Sequence, residues 1–264
     1  MNISMLEGIL ALLGAFILGA VLGSFVNALV WRLRTATTLW GRSKCPACTT
    51  VIQVRHLVPI VSWILLDGRC AECETHIGWQ YPIVEFLGGV IVMFALARNF
   101  PFVDVTTVLQ FSYESLFALT LLTLAVFDWR WKLLPVEFMG GAALFFGIWN
   151  AVVSQSILPF VVGAGFGMLF LGAQVLVSGG RWMGAGDPWL GALLGAGLGW
   201  PGIGVSFYIT YLVGGLLVLV LLILGVVRRS ERIPFAPLLA IGGIGALWFG
   251  DVIGAWFARA VGLA

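Results

Sequence analysis

Met183-Gly-Ala-Gly-Asp-Pro-Trp189 sets a carboxylate between a glycine-rich turn and a long apolar run. Gly184 and Gly186 permit backbone angles and close approaches that side chains forbid, and Pro188 suits the first turn of a helix. Asp187 is therefore placed as the N-cap of the helix that follows. Capping the free N–H groups there is one complete account of it. A second acid points further: Phe127-Asp-Trp-Arg-Trp-Lys-Leu-Leu-Pro135 ends another apolar run on Asp128. Ionisable side chains at such depths are functional hypotheses by default.

The runs on either side of these acids decide the class. Hydrophobic residues make up 61% of the chain, charged residues 10%, and the mean hydropathy is +1.06. A soluble surface does not tolerate these values, so the expected fold is an all-α polytopic membrane protein embedded in a lipid bilayer. The 35 glycines agree, because helices in lipid associate through small residues that let backbones approach. With about 20 apolar residues per span, helices are expected near 8–30, 82–99, 108–127, 134–153, 157–178, 187–200, 203–227 and 234–258. That makes about eight transmembrane helices. The sixth is short and glycine-rich, as a broken or recessed helix would be.

Basic residues orient the spans. With the N-terminus outside, inward segments hold Arg32, Arg34, Arg42, Lys44, Arg55, Arg69, Arg130, Lys132, Arg181, Arg228, Arg229 and Arg232, leaving Arg98 and Arg259 outside. An excess of lysine and arginine marks the cytoplasmic side, so the N-terminus is expected in the periplasm and both aspartates at the cytoplasmic face. The net charge of +2 carries no such information, and no nucleic-acid partner is expected. Of the other acids, Glu85 early in the second span draws a functional suspicion weaker than that on the two aspartates. Glu7, Asp104, Glu114, Glu137, Glu231 and Asp251 read mostly as interfacial.

Three parts follow: a first span over 1–31, a polar cytoplasmic insert over 32–81, and a helical core over 82–264. The insert holds all four cysteines, Cys45, Cys48, Cys70 and Cys73, as two C-x2-C pairs separated by twenty-one residues. This spacing approaches that of a zinc ribbon, in which two knuckles present four thiolates tetrahedrally. An insert this small buries little core, so a bound zinc ion would supply folding energy directly. Two disulfides or four free thiols are the alternative, opposed in the first case by a reducing cytoplasm. His56 and His76 are read as ordinary polar positions.

Two carboxylates brought within a few Å cannot both ionise easily, so one holds a proton while the other stays charged. That is the requirement of an aspartic protease. The charged member takes a proton from the attacking water, and the protonated member polarises the carbonyl and later helps protonate the leaving amine. A capping Asp187 would favour the charged role, although a coupled pair titrates jointly. There is no Gly-x-Ser-x-Gly elbow, His-Glu-x-x-His pair or Walker loop, so serine, zinc-protease and nucleotide chemistry lack support. A membrane thiol-disulfide oxidoreductase is a rival reading of the cysteine pairs, and an ion-coupled transporter is a rival reading of the aspartates. Against the first stands the reducing side on which the cysteines fall, and against the second the lack of an inverted repeat.

Taken together, the motifs resemble the bacterial type IV prepilin peptidases nearly end to end. Gly23-Ser-Phe-Val-Asn27 and Trp31-Arg-Leu33 look like that family's opening helix. Ser43-Lys-Cys-Pro-Ala-Cys48, Pro59-Ile-Val-Ser-Trp63, Gly68-Arg-Cys70 and Tyr81-Pro-Ile-Val-Glu85 look like its zinc domain and re-entry. Asp128 with Leu134-Pro135, Gly184-Ala-Gly-Asp187 and Ile233-Pro-Phe235 are similar to its aspartate motifs and last-helix entry. The resemblance implies a GxGD-type aspartic protease of the bacterial inner membrane, acting on prepilins or pseudopilins of a type IV pilus or type II secretion apparatus. It implies removal of a short basic leader at the cytoplasmic face, and N-methylation of the new N-terminus with S-adenosylmethionine as cofactor. Val136 and Trp189 depart from the family pattern, which has an acid and a lysine at those positions.

Overall fold

The computed structural model describes residues 3–38, 40–102, 104–225 and 234–260, and all its regular structure is helical apart from two isolated β-bridges. Arg228, Arg229, Glu231, Arg232 and Ile233 lie outside the described residues. In order, the helices are α1 (Ile3–Thr35), α2 (Val61–Leu65), α3 (Gln80–Asn99), α4 (Val105–Trp131), α5 (Val136–Ser154), α6 (Leu158–Ser178), α7 (Asp187–Ile223) and α8 (Ala236–Ala260). All except α2 are long and apolar enough to cross a membrane. The chain is a multi-pass membrane protein, and it divides into two units, Met1–Thr123 and Leu124–Ala264.

In the first unit α1 packs on α3. Glycine makes this contact possible, since a Cβ on Gly23 would fall 2.6 Å from the Val84 carbonyl and one on Gly88 2.5 Å from that of Gly19. Asn27 Nδ2 donates to the Tyr81 carbonyl at 3.1 Å and fixes the register where α3 begins. Glu114, expected at an interface, is instead 2% exposed, with Arg98 Nε 3.5 Å away. Pairing is what makes such burial tolerable inside an apolar bundle.

In the second unit α7 packs on α5, α6 and α8. The facing pairs Gly163/Gly167 of α6 and Gly191/Gly195 of α7 press backbone on backbone, so a Cβ at any of the four would strike the opposite main chain. As α6 advances from Gly163 to Gly167 to Gly172, its neighbours fall from Gly195 to Gly191 to Pro188, so residues 187–198 run antiparallel to it. Beyond the break the sense reverses. Phe170 stacks on Phe207 and Gln174 meets Tyr211, numbers rising together, so residues 201–223 run parallel to α6. The reversal sits at Gly199 (φ 66°, ψ −179°) and Trp200 (φ −91°, ψ 133°), with Pro201 unable to donate a backbone hydrogen bond. Only glycine enters that backbone region readily.

The expected sixth and seventh spans are thus the two arms of one interrupted helix. The first arm, 187–198, is about 18 Å long at about 1.5 Å per residue, short of the roughly 30 Å hydrocarbon core. α8 then runs antiparallel to the second arm, with Leu238 against Gly214 and Gly242 against Thr210. This winding gathers the end of α4, the start of α5, the end of α6, the start of α7 and the start of α8 at one end of the unit.

Candidate active site and cysteine cluster

Both aspartates stand at that end. α4 carries Asp128 in its last turn and stops at Lys132, whose positive φ of 53° turns the chain into Leu133-Leu134-Pro135. Asp128 is 7% exposed, and its Oδ2 accepts a 3.0 Å bond from the backbone N–H of Ala236, the first residue of α8. Helix N-termini offer unsatisfied N–H groups and a partial positive charge, so α8 is aimed at this carboxylate. Lys132 adds a cation within electrostatic reach.

Asp187 is 5% exposed and is the first residue of α7. The sequence reading made it the N-cap; the cap is Gly186, and no side-chain capping bond is present. Asp187 Oδ2 instead turns back to accept the Gly184 N–H at 2.6 Å. The physical reason is the tight turn, which points the Gly184 N–H at the carboxylate before the helix begins. Gly186 itself is pressed on Leu134, where a Cβ would lie 2.9 Å from the Leu134 Cβ. That contact ties the α4–α5 turn to the turn before α7, and Asp128 and Asp187 interact electrostatically across it.

Sequence reasoning missed the partners that hold these acids. Ala236 follows the noted Ile233-Pro-Phe235 motif by one residue, so the signal for its role was present as a proline-led helix entry. Tyr211 gave none: it donates from its hydroxyl to Gln174 Oε1 at 2.9 Å, its ring packs on Phe235 at 6.1 Å, and it is in electrostatic reach of Asp187.

The four cysteines converge in the first unit. Each C-x2-C pair forms the same knuckle. Cys45 N–H donates to the Thr50 carbonyl (3.0 Å) and Thr49 N–H to the Cys45 carbonyl (2.9 Å); Cys70 N–H donates to Thr75 (3.0 Å) and Glu74 N–H to Cys70 (3.0 Å). The bridges Lys44–Val51 and Arg69–His76 close the two turns, and Thr49 and Glu74 take matching positive φ of 61° and 56°. All four sulfurs lie within 4.8 Å of one another. A tetrahedral zinc with Zn–S near about 2.3 Å needs sulfurs roughly 3.8 Å apart, and Cys45 Sγ and Cys73 Sγ are 3.8 Å apart. The cluster could hold a zinc ion. Beside Cys73 the Thr75 hydroxyl and then its backbone N–H bring the thiol down to about 6, which favours the thiolate a metal requires. His56 and His76 are not members of the cluster.

The described residues form a bundle of membrane-length helices that brings two buried aspartates to one end of its second unit, and the first unit carries a four-thiol knuckle pair: the features of a multi-pass membrane protein with a candidate carboxylate pair. Residues 17–99 match the family model described as Bacterial Peptidase A24 N-terminal domain, and residues 115–223 match that of the Type IV leader peptidase family. The chain is 31% identical over 269 residues to a prepilin leader peptidase/N-methyltransferase of Burkholderia pseudomallei, covering 89% of this chain and 84% of that protein. It is 34% identical to the one of Aeromonas hydrophila (82% and 74% covered) and 29% to that of Bacillus subtilis (90% and 94%). No solved structure gives a significant match. The chain belongs to the type IV leader peptidase family.

Proposed function

We propose that this protein is an aspartic endopeptidase that cleaves the short basic leader from type IV prepilins or pseudopilins, using Asp128 and Asp187 as its catalytic pair. The observation that carries the reading is the pair itself: two buried carboxylates from distant helices, in electrostatic reach, each with one oxygen pinned by a backbone N–H. Pinning fixes the orientation of each carboxyl before substrate arrives, which lowers the reorganisation needed in the transition state.

The pair shares one proton. The charged carboxylate takes a proton from water as its oxygen bonds to the scissile carbonyl carbon, while the other carboxyl donates its proton to the carbonyl oxygen. The tetrahedral gem-diol then collapses: the C–N bond breaks, the first carboxyl gives its proton to the leaving amine, and the second carboxylate takes one back from a gem-diol hydroxyl, leaving a carboxyl product and the pair with its one shared proton. No covalent enzyme intermediate forms. The backbone of α8 supports one partner and the Gly184 turn the other, so each carboxyl is oriented by main chain rather than by flexible side chains.

The basic residues favour an inner-membrane orientation with the N-terminus in the periplasm and the insert and aspartates at the cytoplasmic face. A substrate helix would then lie in the bilayer with its basic leader in the cytoplasm. Residues 32–81 act as a zinc-binding domain, Cys45, Cys48, Cys70 and Cys73 holding one structural zinc. N-methylation of the new N-terminus accompanies cleavage, as in the relatives' names; its methyl donor, by resemblance, is S-adenosylmethionine.

The test is incubation of purified protein in detergent with a leader-bearing prepilin and S-adenosylmethionine, with mass spectrometry of the product N-terminus. Wild type is expected to yield the shortened, methylated chain. Asp128→Asn and Asp187→Asn are each expected to lower cleavage by about two to four orders of magnitude or more. Near-wild-type turnover in either would overturn the shared-proton mechanism.

A further inference from the structure

Two motifs of the first unit have no part in the chemistry above: Pro59-Ile-Val-Ser-Trp63 and Tyr81-Pro-Ile-Val-Glu85. The fold joins them. The backbone N–H of Ile60 donates to Glu85 Oε2 at 2.7 Å, and Glu85 is buried. Ile60 reaches this bond through φ 64°, a conformation a β-branched residue rarely adopts, so the contact is imposed by its surroundings.

Glu85 is the sixth residue of α3, roughly 7–8 Å along the helix from its start at about 1.5 Å per residue. The segment after Ile60 is therefore drawn down beside a membrane span instead of standing off with the cysteine knuckles. Its inner face is fixed: Ser62 Oγ donates to the Arg55 carbonyl at 3.0 Å and Trp63 Nε1 to the Ile77 carbonyl at 2.9 Å, with the Trp63 and Trp79 rings 4.3 Å apart. Leu57 and Val58 before α2, and Val61, Ile64 and Leu65 on it, are apolar and exposed, Leu65 by 77%. On α3, the span that Glu85 belongs to, Ile83, Phe86 and Leu87 are likewise exposed and apolar.

We propose that residues 57–65 form an interfacial anchor, lying in the headgroup–acyl boundary of the bilayer and holding the cysteine insert against the membrane. Lipid covers these side chains. An apolar segment at this depth matches the roughly 5–10 Å insertion of amphipathic interfacial segments. Arg55 and Arg69, both exposed, flank it with the positive charge that lipid phosphates favour.

The test uses the full chain in lipid nanodiscs. A nitroxide is attached through p-acetylphenylalanine at position 61 or 65, with 72 on the second knuckle and 83 on α3 as references. Electron paramagnetic resonance then compares collisions with oxygen, which concentrates in lipid, and with a water-soluble nickel chelate. At 61 and 65, as at 83, oxygen is expected to exceed nickel; at 72 the order inverts. Nickel exceeding oxygen at 61 and 65 overturns the proposal, and so does shielding from both, which would mean that protein covers the segment. The unmodified chain gives a second reading with lipids carrying a photoactivated diazirine near the headgroup. Adducts are expected within 57–65; adducts on 83–87 without any in 57–65 would refute the anchor.

Discussion

Asp128 takes its hydrogen bond from a helix 108 residues away, whereas Asp187 takes its own from three residues back. The two sites should therefore fail differently. Ala236 is fully buried, so Asp128→Ala strands its N–H and is expected to destabilise the protein by about 1–3 kcal/mol. Gly184 is exposed and can turn to water, so Asp187→Ala should cost less. Asparagine at either position keeps an accepting oxygen, so thermal melting in detergent should separate the Ala variants while leaving the Asn variants near wild type. The glycines of the turn also differ. A Cβ on Gly184 meets nothing closer than 3.7 Å, while one on Gly186 meets Leu134 at 2.9 Å. Gly184→Ala should retain cleavage within a few-fold, and Gly186→Ala should lose on the order of a hundredfold, since roughly 1 Å of displacement suffices for that. Prepilin turnover at matched protein levels checks both; equal loss in the two would remove the Leu134 contact from the account.

Among elements, the interrupted α7 bears the heaviest demand on sequence. Gly199→Ala puts a side chain into a backbone region that only glycine enters readily, with the Phe160 ring 3.1 Å from the new Cβ, and is expected to cost about 1–3 kcal/mol. Gly195→Ala drives a methyl into the α6 backbone and should cost a similar amount, about 1–3 kcal/mol, by overpacking. Gly165→Ala and Gly204→Ala meet open space and serve as controls. Melting temperatures of the four variants in one detergent give the comparison. Equal shifts throughout would mean that glycine content, rather than these two contacts, sets the helix crossing.

For the whole molecule, the cysteine cluster links folding to metal and to pH. One zinc per chain is expected by elemental analysis, and Ser at any of the four cysteines should loosen the insert without removing the chemical step. In the metal-free insert the Cys73 thiol lies at about 6, below its ordinary 9.0, because of Thr75. Its thiolate therefore favours the folded knuckle fully above about pH 9, a contribution lost as the pH falls through about 6. Cys45 works the other way, for despite the Cys48 backbone, burial pushes it up to about 11, a contribution present below about pH 9 and lost toward about 11. Alkylation of Cys73 in zinc-depleted protein whose insert circular dichroism shows still folded should accordingly stay fast down to about pH 6; a midpoint near 9 in that folded state would rule out the Thr75 effect. The membrane class, the two knuckles and the place of both aspartates at helix ends were legible in the sequence because each is local: a run of apolar residues, a C-x2-C spacing, an acid at the end of a hydrophobic stretch. What the sequence left open depends on partners far apart in the chain. Asp128 against the start of α8, Glu85 against Ile60, Glu114 against Arg98 and the reversal at Gly199 leave no periodic mark. Lipid is as apolar as a helix interior, so inward and outward faces look alike in sequence, and only close packing of small residues chooses between them.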